Sequence, residues 1–220
     1  AKPCCGQERS WETVGGTTPP DGADVGPPAF DPEINFVDPA DVYAGVETGT
    51  WGGTATAARR HDLVLATKVR GRMGQGPNQV GLSRVHIINS VEASLKRLNT
   101  DYIDLYQIHR WDPLTNIQDT LRALDDLVPA GKVRDIRCSN LPAWYLMKSL
   151  AVSREQRLER FKCTQSFYSL AGRDLERETI PLLKDQGLGL PVWGRLAGGF
   201  LSGKCSREGG GAPARRAQFT

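Results

Sequence analysis

Asp38 and Tyr43 lie five residues apart at the end of the apolar run INFV, and three more residues able to do chemistry follow at strand-like ends: Lys68, His109 and Asn140. A phenol with a pKa near 10 donates a proton poorly at neutral pH, but an adjacent ammonium favours the phenolate and brings it into working range. Lys68 can be that ammonium for Tyr43. A carboxylate such as Asp38 would keep the lysine charged and fixed in a partly buried site, and His109 would donate a hydrogen bond to a substrate carbonyl oxygen. Together these roles describe protonation of a carbonyl group as it is reduced.

The elements that must position these groups recur along the chain. Strand-like runs at Ile34–Val37, Leu63–Thr67, Tyr102–Ile108, Val133–Cys138, Phe161–Phe167 and Gly189–Trp193 start about 30 residues apart, the length of a βαβ unit. Each ends in a polar or aromatic residue. The intervening patterns predict helices at Ser83–Leu98, with Val85, Ile88, Val91, Leu95 and Leu98 as the apolar stripe, and at Ile117–Val128, with Leu121, Leu124 and Leu127 inward and Gly131 as the stop. Shorter helices are expected at Trp144–Leu150 and Asp174–Gln186, and a poor, glycine-rich one at Glu47–Arg60. Alternating strands and helices mean a parallel α/β sheet. Ligand-facing residues at six successive strand ends favour a TIM barrel, (α/β)8, over a doubly wound sheet that gathers its contacts at one switch point.

At these residues the sequence resembles the aldo-keto reductase family, in VDPADVY (37–43), LVLATKV (63–69) and DYIDLYQIH (101–109), and on through CSN (138–140), QSFYSLAGRD (165–174) and WGRLAGGFLSGK (193–204). The resemblance implies an (α/β)8 barrel that reduces aldehydes and ketones with a nicotinamide cofactor, usually NADPH, and a catalytic tetrad of Asp38, Tyr43, Lys68 and His109. It further implies that Ser139, Asn140 and Gln165 hold the nicotinamide carboxamide and that Trp193 stacks on the ring. Around the pyrophosphate it implies contacts from Leu196, Gly198, Gly203 and Lys204; Gly194 and Arg195, where the sequence departs from the family, join these candidates because Arg195 can itself contact phosphate. Three departures stand out: Pro39 for the usual threonine, Arg137 for a glycine before CSN, and Gly194-Arg195 for a Ser-Pro.

The resemblance covers residues 34–204 and matches strands two to seven, so the barrel is expected to be incomplete. Residues 1–33, rich in Pro and Gly, read as irregular or disordered, and 205–220 as a flexible tail. The first and last family strands have no counterpart here, so a fragment or decayed copy that folds poorly alone is expected, with open edges that invite association. A non-catalytic relative serving as a binding module is the competing expectation.

Composition narrows the remaining classes. In 220 residues, 28 basic and 25 acidic side chains give a net charge of +3 with no basic stripe, which argues against nucleic acid as a partner. No apolar run reaches the roughly 18 residues of a membrane span, so no membrane partner and a cytoplasmic location are expected. The five cysteines form no CxxC pair and the three histidines no HExxH, which fits reduced thiols and no metal site. His61 and His86 read as structural. The run GGFLSGK (198–204) mimics a phosphate loop, but Cys205 replaces the Ser or Thr that would hold magnesium, and the three glycines after it preclude the helix such a loop requires.

Overall fold

The computed structural model describes residues 35–38 and 57–203. Tyr43, Pro39, Lys204 and most of the expected helix at Glu47–Arg60 lie outside them; of that helix, the end is present as a 3-10 segment, Ala57–Asp62.

Six strands, β1 (Phe36–Val37), β2 (Val64–Val69), β3 (Ile103–Ile108), β4 (Val133–Ser139), β5 (Thr164–Phe167) and β6 (Val192–Trp193), form one sheet in the order β1-β2-β3-β4-β5-β6. Every neighbouring pair is parallel. An order that never reverses offers no topological switch point, which separates a barrel from a doubly wound sheet. The sheet curls with its helices outside, an incomplete (α/β)8 barrel.

Among the described residues, four α-helices return the chain: α1 (Arg84–Leu98), α2 (Ile117–Asp125), α3 (Ala143–Gln156) and α4 (Thr179–Gln186). Ser83 caps α1 by accepting from the His86 amide, and Asn99 closes it in the left-handed conformation at φ 48°. Its buried face runs through Ile87, Ser90, Val91, Ser94, Leu95 and Leu98. This corrects the predicted stripe, since Val85 is 53% exposed. Small serines let the helix approach the sheet more closely than a row of branched side chains would. On α2, Leu121 and Leu124 are wholly buried, with Leu127 just beyond the helix also in the core, as its spacing predicts.

The expected helix at Trp144–Leu150 runs on to Gln156, because its last two turns bury Val152 and Ser153 rather than a continuous apolar stripe. In the opposite direction, Asp174–Gln186 splits into a 3-10 turn, Asp174–Glu176, and α4. Pro181 has no amide proton and its ring collides with a carbonyl one turn back, so it suits the first turn of a helix and not the interior of a longer one.

The core lies between sheet and helices, with Leu65, Val69, Tyr106, Ile108, Ile136 and Leu146 almost fully buried. At the N-terminal end of the strands, the Tyr102 ring is sandwiched between the guanidinium groups of Arg60 and Arg134, 3.8 and 4.1 Å from its centroid. Asp104 draws in both cations, at 2.8 and 3.5 Å, and so ties the 3-10 segment to the sheet.

Candidate active site

Asp38 follows β1, Lys68 lies near the C-terminal end of β2, and His109 follows β3. Register sets the stage: Lys68 stands opposite Gln107, and Gln107 opposite Arg137. Residues in register on parallel strands share a face, so three long polar side chains cross the barrel interior at one level. Lys68, Gln107 and Arg137 are each buried to 0% exposure.

Asp38 is the hub of that level. Its Oδ1 accepts from Lys68 Nζ at 2.9 Å and also from Arg137 Nη2, and its Oδ2 accepts from Gln165 Nε2 at 2.7 Å. Burial alone would raise its carboxyl pKa; the charges of Lys68 and Arg137, with the hydrogen bonds from Lys68 and Gln165, bring it down to about 2 instead. Asp38 is therefore a carboxylate throughout the physiological range. Gln165 in turn accepts from Gln107 Nε2 through its Oε1, at 3.1 Å.

His109 is partly buried beside this cluster. Burial and the Lys68 charge hold its pKa down to about 4, against the opposing pull of Asp38. The imidazole is neutral near pH 7, so it can donate one hydrogen bond without carrying charge.

At the rim, Asn140 takes the left-handed conformation at φ 54°. Its Nδ2 donates to Ser139 Oγ at 2.8 Å and to the His109 carbonyl at 3.4 Å, while its Oδ1 accepts from the Trp193 indole at 3.0 Å. Asn140 thus links the ends of β3, β4 and β6. It does not cap α3, whose N-cap is Pro142 with no side-chain bond. The half-buried Trp193 meets the edge of Phe167 at a centroid distance of 5.1 Å. The indole is thus fixed through its nitrogen and by its contact with the Phe167 ring.

The loop after Trp193 turns through left-handed residues at Gly194, Ala197, Gly198, Gly199 and Gly203. A Cβ at Gly194 would strike the Phe167 ring at 2.6 Å, whereas Gly198 and Gly203 face open space. Arg195 and Leu196 are exposed. Backbone without side chains beside an exposed guanidinium suits a phosphate, and a fixed aromatic ring at the strand end suits a flat heterocycle, so the described residues fit a dinucleotide.

Among the sequence candidates, the structure brings together Asp38, Lys68, His109, Ser139, Asn140, Gln165 and Trp193, and places Arg195, Leu196, Gly198 and Gly203 on the adjoining loop. Gln165 departs from the expected arrangement: its amide is engaged by Asp38 and Gln107. Two contributors were not anticipated at the site, Gln107 and Arg137. Both carried a signal, a polar side chain inside a strand buried on both faces, two residues before another site residue. His86 is buried with its Nε2 3.1 Å from the Gly71 carbonyl, and His61 is exposed beside Tyr102, as structural roles require. Among the described residues, no group of His, Cys, Asp and Glu could hold a metal ion, and no helix is long and apolar enough to cross a membrane.

The sequence profile of the Aldo/keto reductase family matches residues 10–219, and the chain belongs to that family. It is 40% identical over 185 residues to norsolorinic acid reductase A of Aspergillus parasiticus, a match covering 80% of this chain and 48% of that protein. The uncharacterized oxidoreductase YrpG of Bacillus subtilis is 39% identical over 204 residues, covering 87% of this chain and 62% of the relative. Aryl-alcohol dehydrogenase GME11368 of Pestalotiopsis microspora is 36% identical over 174 residues, 76% of this chain and 45% of that protein. The chain spans about half the length of most of these relatives.

Proposed function

We propose that this protein reduces an aldehyde or ketone, with NADPH as the cofactor and Tyr43 as the proton donor. The observation that carries the reading is the buried Asp38–Lys68 pair, 2.9 Å apart, with the neutral His109 beside it at the ends of adjacent strands. Asp38 keeps Lys68 in place. The lysine cation lowers the cost of proton loss from a neighbouring phenol, the role assigned to it toward Tyr43. His109, uncharged, donates to the carbonyl oxygen and favours the build-up of negative charge there.

NADPH, when bound, supplies the hydride. Trp193 offers its ring to the nicotinamide, with Ser139 and Asn140 at the carboxamide; Gln165 joins them only if its amide exchanges a partner. Arg195, Leu196, Gly198, Gly203 and Lys204 would hold the pyrophosphate. The name of the Pestalotiopsis relative makes an aryl aldehyde the first substrate to try. We place the protein in the cytosol, where Cys138 and Cys163, both free and buried, stay reduced.

A non-catalytic relative is the second reading, favoured by the engagement of the Gln165 amide with Asp38 and Gln107. Reduction of aryl aldehydes by NADPH, followed by loss of nicotinamide absorbance, separates the two. Activity that Lys68→Met lowers by at least about 100-fold supports the enzyme, in line with the size of acid–base effects. NADPH binding without turnover supports the binding module.

A further inference from the structure

We propose that Arg137 is a positioning residue for the site, a second counter-ion that fixes the Asp38 carboxylate for Lys68. The geometry is direct. Arg137 Nη2 donates to Asp38 Oδ1, the same oxygen that accepts from Lys68, while Gln165 takes Oδ2. Three donors on two oxygens fix both the position and the rotation of the carboxylate. Gln165 on Oδ2 sets the rotation, and the guanidinium adds to Oδ1 a planar, rigid donor that a lysine on a flexible stem does not supply.

The arrangement is costly, which bears on why it exists. Arg137 is fully buried, and its Nε and Nη1 make no well-formed hydrogen bond, with only the weakly accepting Cys163 sulfur at hand. Gln107 Oε1 is also unpaired. Each buried unpaired polar group is destabilising, and an apolar side chain of similar volume would fill the barrel axis without that cost. The guanidinium also stacks 5.3 Å over the Phe36 ring, one residue pair below Asp38 on β1, which directs it at the carboxylate. With one anion and two cations, the cluster carries a net positive charge. Asp38 consequently has a partner whatever Lys68 does, and Lys68 shares its carboxylate instead of owning it.

The catalytic part of this inference rests on the proposed carbonyl reductase activity, so its test has one arm that does not. The arm independent of turnover is the titration of the Asp38 carboxyl by carbon-detected NMR. Arg137→Met, close in size and uncharged, should raise the Asp38 pKa by about one unit or more, and Arg137→Lys should return it toward the wild-type value. In the kinetic arm, Arg137→Met should lower kcat about tenfold with the KM for NADPH unchanged, since Arg137 does not reach the rim, and Arg137→Lys should recover most of the loss. An Asp38 titration that Arg137→Met leaves in place overturns the inference, and so does a shifted titration with an unchanged kcat.

Should Arg137→Met not fold, Lys68→Met reads the same contact. Asp38 must then still titrate below its ordinary value of 3.8, held there by Arg137. A return to that value or above overturns the assignment. A wild-type protein without reductase activity counts against the proposed function, and the Asp38 titration alone then decides for or against Arg137.

Discussion

The buried charges carry the pH dependence of this protein, and its sign follows from two groups. Asp38 has a folded pKa of about 2 against an ordinary 3.8, so its contribution to stability is complete above pH 3.8 and is lost as pH falls through 2. His109 has a folded pKa of about 4 against 6.5, so between those values the unfolded chain binds more protons and stability falls as pH drops from 6.5 toward 4. Acid should therefore weaken the fold in two stages, the histidine first. Chemical denaturation from pH 7 down to about 1.5 checks this: His109→Gln should abolish the upper stage, on the order of 3 kcal/mol, and leave the lower one. At this scale much was legible in advance. Asp38, Lys68 and His109 could be read because each ends an apolar strand, but Gln107 and Arg137 sit inside strands, where a polar side chain is a signal whose partners show only in the register.

Among the elements, the loops that follow the site-bearing strands depend on backbone positions with little freedom. Asp112, just after His109, accepts from the Leu82 and Leu114 amides and the Thr115 hydroxyl at 2.8, 3.1 and 2.8 Å, and so ties the loop after β3 to the start of α1. Gly81 lies against it in the left-handed region at φ 91°, and a Cβ there would meet Asp112 Oδ2 at 2.7 Å. Gly131 is also left-handed, at φ 73°, but with no atom within 4 Å of its Cβ position. Urea unfolding should accordingly rank the two: Gly131→Ala costs about 1 kcal/mol, from backbone conformation alone, and Gly81→Ala about twice that, because the contact is added. Gly131 does not stop the helix as expected: α2 ends at Asp125, and residues 126–131 form turns before β4. The full length of α3 and the true face of α1 were not readable from sequence, since Ser90, Ser94, Ser149 and Ser153 are buried and a polarity pattern assigns serine to solvent. Ser149 and Ser153 settle their hydroxyls by donating to the Tyr145 and Glu159 carbonyls, at 2.7 and 2.9 Å. Their polarity is satisfied locally, which is why burial does not show in hydropathy.

Over the whole molecule, the strand order and the parallel pairing make one side of the curled sheet, the C-terminal end, the place where polar residues converge. The alternation of strand and helix made that architecture readable, because parallel neighbours require crossovers and crossovers require helices. What sequence could not supply was the bonding inside the barrel, where the Gln165 amide turns inward to Asp38. In the proposed reaction this convergence of Asp38, Lys68 and His109 would serve Tyr43 as the proton donor in NADPH-dependent carbonyl reduction. Its most direct test is to measure NADPH binding by nicotinamide fluorescence and aryl aldehyde reduction in the same samples of wild-type protein and Tyr43→Phe. Similar NADPH affinity is expected for both, with a kcat at least about 100-fold lower for Tyr43→Phe. Equal turnover by the two proteins, or failure of both to bind NADPH, would contradict the proposed reaction.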